Sequence, residues 1–358
     1  MSQLYAVTSL EFNSARSACD CLAHRFGNAA DQPERAPVYN SDMTDAQWAV
    51  VRDEMPTPGW LEGRGGRPEG YCHRQMIDAV FYVTDNGTKW RSLPVDFLMC
   101  SMESERHEPA GRTHAPPARI PSNKDSVDCD GGAFHRTPWD RVYAFSRRWR
   151  KNDLPKELHD RLRDKVRLAE GRDVEPTAGI IDSQSVKAAA SVPAASRGYD
   201  GGKKINGRRR HVITDCLGMI LMVMVTAADV TDRQAARIML PGLRERFREL
   251  TLVWADGGYT GSLVDWAKEK LQLTLQIVKR SDDMKGFVVL PRRWVVERTL
   301  GWLMRSRRLV RDFETLPESS EAFIYWSQTM LMSRRLARTT RTTRTTVPVS
   351  SPVTTLAA

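Results

Sequence analysis

The chain has 358 residues, 41% of them hydrophobic, enough for two domains or one large domain with additions around a sizeable core. Its 54 Lys and Arg against 44 Asp and Glu leave a net charge of +10, which favours a polyanionic partner without separating nucleic acid from an anionic membrane. The longest apolar run, around 219–225, is too short to span a bilayer, and no basic start followed by an apolar core marks a secretory signal, so a cytoplasmic chain is expected. The six cysteines, at 19, 21, 72, 100, 129 and 216, show no CxxC pair and no metal-ligand cadence, and read as scattered thiols of a reducing compartment.

Residues 1–40 lack periodicity and read as a poorly ordered extension. The stretch TDAQWAVVRDEM opens on a capping Thr44 and places Trp48, Val51 and Met55 at helical spacing. GRGGRP at 63–68 follows as a flexible basic loop. A second helix is expected over 71–86, with Met76, Val80, Phe81 and Val83 apolar and Asn86-Gly87 closing it. Residues 98–137 carry Pro, Gly, Ser, His and charge without a usable period, and read as a disordered insertion. Order returns at TPWDRVYAFSRRWRKND, where Trp139, Val142, Tyr143, Phe145 and Trp149 mix with Arg147, Arg148 and Arg150. An aromatic face beside a basic one suits a DNA groove and its phosphates, although a solvated Arg face on a packed helix would look the same. Three helices, the last one basic, fit a small all-α, helix-turn-helix-like DNA-binding domain over 41–97 and 138–155.

From Thr177 the signals alternate. AGIIDSQSVK, RRRHVITD and MILMVMVTAAD read as three strands, near 179–186, 208–215 and 219–227. A helix capped by Thr231 and Asp232, a strand at 251–256, a further helix, a strand at 273–279 and a long helix over 292–308 follow. The class is α/β: a mixed sheet flanked by helices, over 176–335. The RTT-rich tail, 336–358, is low-complexity and basic, hence expected to be unstructured.

The chemistry gathers on three acids. Asp256 follows the apolar Leu252, Val253 and Trp254 and precedes Gly257-Gly258; Asp182 follows Gly179, Ile180 and Ile181. Either acid alone could be a cap or a turn residue. Two acids at the ends of buried strands of one sheet would repel unless a cation lies between them. Glu297 shares a helical stripe with Arg293, Gly301, Met304 and Arg308, while Val295, Thr299, Trp302 and Leu303 form an apolar side; a plain Arg293–Glu297 pair is the simpler reading. Three carboxylates among arginines suit two magnesium ions, for which manganese can substitute, set about 3.5–4 Å apart for phosphodiester chemistry. Asp229 and Asp232 read as turn and cap residues, and His211 as a packing or phosphate contact. Lys203, Lys204, Arg208, Arg209 and Arg210 read as a DNA-facing patch or a solvated hairpin, and Arg305 as a further DNA contact.

These residues carry a resemblance. IIDSQSVK, GYDGGKKINGRRRHVITDCLG, AADVTDR, WADGGYTG, IVKR and PRRWVVERTLGWLMRSRRL, in one order over 179–310, resemble the DDE transposases of small bacterial insertion sequences. MTDAQW, GGRP, TKWRSLP and the Trp139 helix are similar to the N-terminal part of that family. The resemblance implies a ribonuclease-H-like core, a catalytic triad of Asp182, Asp256 and Glu297 with Arg293 in the signature around the glutamate, and magnesium-dependent cleavage and strand transfer of DNA. It further implies binding to terminal inverted repeats and target DNA, a homodimer on DNA, no membrane, and a nucleoid-associated place in the cytoplasm. Leu290 stands where the family often has tyrosine, and 98–137, the first 40 residues and the tail have no counterpart in it. A ribonuclease-H-like nuclease or resolvase, and a catalytically degenerate DNA-binding relic, are the alternatives.

Overall fold

The structure, a computed structural model, describes residues 19–29, 37–98, 139–278 and 293–345. The expected insertion lies outside the described residues from 99 onward, as do Leu290 and the tail from 346. The described chain falls into two compact units, one drawn from 1–36, 58–75 and 94–138, the other from 37–57, 76–93 and 139–358.

The first unit holds α1, the single helical turn Leu22–Arg25, closed by Phe26 N–H donating to Leu22 O (3.0 Å) and Gly27 N–H to Ala23 O (3.1 Å). The extension expected over 1–40 is therefore ordered at 19–29, because its backbone groups find partners there.

In the second unit, α2 (Asp45–Glu54) starts at Thr44, whose hydroxyl accepts from Gln47 N–H while the Gln47 side chain caps Thr44 in return. That is the capping box announced by TDAQ. Residues 76–86 of α3 (His73–Asn86), α4 (Trp139–Lys151) and α5 (Leu154–Ala169) complete the helical part. Then come β1 (Ala178–Lys187), the short β2 (Gly198–Asp200), β3 (Ile205–Thr214), β4 (Ile220–Ala227), α6 (Asp232–Arg246), β5 (Leu252–Ala255), α7 (Ser262–Leu271), β6 (Thr274–Ile277), α8 (Trp294–Leu303) and α9 (Pro317–Thr345).

The sheet runs β2-β3-β1-β5-β6, with β4 also on β3 beyond β2. β1 pairs antiparallel with β3 and parallel with β5; β5 and β6 are parallel, and β4 is antiparallel to β3. Strand alternation turns Ile181 and Ile213 toward one face, where Ala236, Met239, Leu240 and Leu243 of α6 and Leu263 and Ala267 of α7 close a core with Val253 and Leu275. α8 packs on β1 and β3, burying Val296, Thr299, Leu300 and Leu303, with Thr299 Oγ1 donating to Gly218 O at 2.8 Å. The apolar side of α8 thus includes Val296 and Leu300, whereas Val295 and Trp302, expected there, are only partly buried.

Two of the expected boundaries fall differently in the packing. The helices assigned to a separate helix-turn-helix-like domain share one compact unit with the sheet. α9 is the reason: residues 323–330 are buried without a break, so the helix needs apolar partners all round. α5, with Leu158, Leu162 and Val166, and α2 pack against it on the helical side, and β4 on the sheet side. The unstructured tail expected from 336 is likewise helical to Thr345.

Candidate active site

The register of the parallel pair builds the site. Ile180 lies beside Trp254, so two residues further on Asp182 and Asp256 reach the carboxyl ends of that pairing side by side. By alternation both side chains project on the face opposite Ile181 and Val253, the face on which α8 lies. Arg293 is the N-cap residue of α8, and Glu297 follows one turn later. The three acids converge on one guanidinium. Arg293 Nη2 is 3.7 Å from Asp182 Oδ2, 3.7 Å from Asp256 Oδ2 and 3.5 Å from Glu297 Oε1. The Arg293–Glu297 pair expected from helical spacing is present, but it is one arm of a three-armed contact.

Exposure grades across the site. The side chains of Asp182, Asp256 and Glu297 are 15%, 32% and 46% exposed, so the cluster opens to solvent at the glutamate. Burial pushes the Asp182 carboxyl up to about 6, with Asp256 adding to the rise, against the Ser183 N–H bond and the charges of Arg293 and Lys203. Lys203 reaches in from the β2–β3 turn, its Nζ donating to Ser183 O at 3.3 Å. Two neighbouring carboxylates, one of them poorly solvated, form a donor set of hard oxygens that fits a small divalent cation.

Gly258 matters for space rather than for a special backbone angle. A Cβ there would sit 3.0 Å from Asp256 Oδ1 and 3.2 Å from Asp232 Oδ2, and the positive φ of this loop falls instead at Gly261 (+89°). Gly301, one turn beyond Glu297, faces open space.

Several expected roles change. Asp232 is not the cap of α6; Thr231 is, in a capping box with Gln234. The Asp232 carboxylate instead accepts from Ser183 Oγ (2.7 Å) and lies 3.4 Å from Arg209 Nη1 and 3.7 Å from His211 Nδ1. It is a neighbour of the site that the capping pattern TDRQ concealed. Asp229 keeps its turn reading. His211 is fully buried with Nε2 3.0 Å from Thr226 Oγ1, and burial pushes it down to about 4, so it packs as a neutral ring and is screened from any phosphate.

Arg208, Arg209 and Arg210 are not a DNA-facing patch. They are 0%, 9% and 1% exposed. Arg208 binds Asp312 and the carbonyls of Ser196, Glu314 and Thr315; Arg209 pairs with Asp200; Arg210 donates to Leu309 O at 2.7 Å. Buried acids and carbonyls, some near in sequence and some about 100 residues away, hold them inside. Lys203 and Lys204 of the same set stay exposed. Arg147 and Arg148 on α4 are exposed, over the rings of Tyr143 and Phe145, and Arg150 is half-buried. Arg305 lines a cleft of about 700 Å³ with Arg298, Arg334, Arg335 and Arg338. Arg308, expected on the stripe of Glu297, lies beyond the end of α8 and pairs with Glu314 at 2.6 Å.

A mixed sheet in which antiparallel β4, β3 and β1 are followed by parallel β5 and β6, with two strand-end acids facing a helical third, defines a ribonuclease-H-like domain. Residues 174–332 match the family described as "Transposase DDE domain", and residues 43–109 match "Putative transposase of IS4/5 family". A protein of Burkholderia cepacia described as "Putative transposase for insertion sequence element IS402" is 31% identical over 125 residues, a third of this chain (33%). The match spans 59% of that relative's length. The chain belongs to the DDE transposases of insertion sequences. Among the described residues no helix is long and apolar enough to cross a membrane.

Proposed function

We propose that the protein cuts DNA at the ends of its insertion sequence and joins the freed 3′-hydroxyls to target DNA, with Asp182, Asp256 and Glu297 as the catalytic acids. The observation that carries this reading is the approach of all three carboxylates to the single Arg293 guanidinium. Asp182 with Asp256, and Asp182 with Glu297, would hold two divalent cations; magnesium fits an all-oxygen donor set that leaves room for water, and manganese can replace it. Such ions, when bound, make water or a 3′-hydroxyl a better nucleophile and offset charge at the scissile phosphate. Arg293 keeps the acids together without them and can turn its guanidinium to a phosphate oxygen. Lys203, at the same edge, adds a point charge for the backbone of the strand being cut. The exposed arginines of α4 and the cleft bearing Arg305 supply sequence-independent phosphate contacts, so terminal repeats and target DNA are the partners. The protein would act as a homodimer bringing two ends together.

The test is a strand-transfer assay with paired end fragments, a target plasmid and magnesium, beside a binding assay on the same ends. Asp182→Asn, Asp256→Asn and Glu297→Gln keep shape and remove charge. Each should lower cleavage and joining by about 10²–10³-fold or more, the scale of losing one essential electrostatic contact, while end binding stays near normal. Near-normal joining by Glu297→Gln would disprove the assignment of the third acid. Cutting without joining in the parent protein would favour a nuclease.

A further inference from the structure

The first unit contains a second, chemically different cluster. Cys19, Cys21, His24 and Cys72 bring one ligand atom each to within 4.8 Å of one another. Cys72 Sγ and Cys19 Sγ are 3.6 Å apart, and Cys21 Sγ is 3.2 Å from His24 Nδ1. No disulfide joins these thiols. Sulfurs about 2.3 Å from one tetrahedral ion stand roughly 3.8 Å from each other, so the observed sulfur spacing is already that of a ligand shell. The expectation of scattered thiols is corrected at these three positions; it failed because 51 positions separate Cys21 from Cys72 and no local spacing announces the fourth ligand.

We propose that Cys19, Cys21, His24 and Cys72 bind one structural zinc ion. Three thiolates and an imidazole are soft and borderline donors that select zinc over the magnesium suited to the carboxylate site, and four protein ligands close the shell, as in structural rather than catalytic zinc centres. The surrounding backbone serves such an ion. His73 N–H donates to Cys21 Sγ at 3.4 Å, which would stabilise a metal-bound thiolate. Asn28 N–H donates to Glu69 O at 2.8 Å, so the loop after α1 lies against the stretch that carries Cys72. Gly27 permits this approach, since a Cβ there would stand 2.6 Å from Ala23 O and 2.7 Å from Glu69 O. Cys21 and Cys72 are buried at 1% and 0% exposure, while Cys19 and His24 remain partly open, leaving a path for the ion. Binding releases the thiol protons and pins 19–29 to 69–73, where few apolar side chains of this unit are buried among the described residues.

The test uses the full chain without a histidine tag, produced with zinc in the medium. Elemental analysis should find one zinc per chain, and Cys72→Ser and Cys21→Ser should lose it, whereas Asp182→Asn and Glu297→Gln should keep it. After chelation, cobalt(II) should bind the parent chain at one per molecule with the intense visible spectrum of a tetrahedral thiolate centre. His24→Cys, which keeps four ligands, should retain the metal with a shifted spectrum. If Cys72→Ser does not fold, the parent's cobalt spectrum still decides. The proposal is overturned if the parent chain carries no zinc and gives no thiolate–cobalt spectrum, if Cys72→Ser keeps full zinc content, or if the zinc is lost with Asp182→Asn.

Discussion

Asp182 is where stability and the proposed function oppose each other most directly. Its carboxyl is lifted from 3.8 to about 6, chiefly by burial, so between those values the folded chain holds a proton the unfolded chain has released. Stability on this account is present at low pH and is lost as pH rises through about 6. In a chelator, Asp182→Asn should therefore melt higher than the parent at about pH 8, by up to roughly 2–3 kcal/mol, and the gain should vanish below about pH 4. Added magnesium should stabilise the parent more than the variant. Equal melting of the two at about pH 8 in chelator would show that the buried charge is compensated some other way. A steric counterpart lies at Gly258, where a Cβ would crowd Asp256 and Asp232. Gly258→Ala should cost about 10²-fold in strand transfer, since displacements of an ångström have that effect, with end binding unchanged. Both strand acids were legible because each follows a run of apolar residues, and Glu297 because it is the acid of a basic stripe. The burial of Arg208 and Arg210 was not, since their partners lie about 100 residues away.

At the level of elements, β1, β3, β4, β5 and β6 were readable from short apolar runs and are found within a few residues of their expected bounds, whereas the three-residue β2 was not. α5 was missed although Pro155 near its start and Leu158, Leu162 and Val166 at four-residue spacing mark it; its mean polarity hid a one-sided apolar stripe. α9 was missed for the opposite reason, its middle at 323–330 being buried all round and showing no stripe. α4 and the cleft bearing Arg305 carry arginines whose role can be measured. Replacing Arg147, Arg148 and Arg150 of α4 by Gln should weaken DNA binding and make the slope of log affinity against log salt less negative by up to about 2.7, three phosphate contacts at about 0.9 each. Replacing Arg305 and Arg338 of the cleft should change the slope by up to about 1.8. A slope unmoved by the α4 triple variant, with a normal change for the cleft variant, would assign the DNA path to the α8–α9 side alone.

For the molecule as a whole, the joining of helices and sheet through α9 changes what unfolding should look like. A separate N-terminal DNA-binding domain would melt on its own, and a core substitution in the helices would leave the sheet's transition where it was. In the observed architecture Leu162 of α5 belongs to the layer packed on α9, and α9 packs in turn on β4. Leu240 of α6 lies in the core on the sheet's other side, with Val253 and Leu275. Both leucines are fully buried, so either Leu→Ala change should cost about 2–5 kcal/mol. Because packing through α9 joins the two layers, Leu162→Ala and Leu240→Ala should each lower one shared transition, seen alike by far-ultraviolet circular dichroism and by tryptophan fluorescence. Trp149 and Trp326 report the helical layer, with ring centroids 5.9 Å apart, and Trp254 of β5 reports the sheet. If Leu162→Ala moved the fluorescence of a variant retaining Trp149 and Trp326 but left that of one retaining Trp254 in place, the helices would be a domain apart. Coincident shifts would mean that the helices and the sheet bearing the three acids gain and lose their order together.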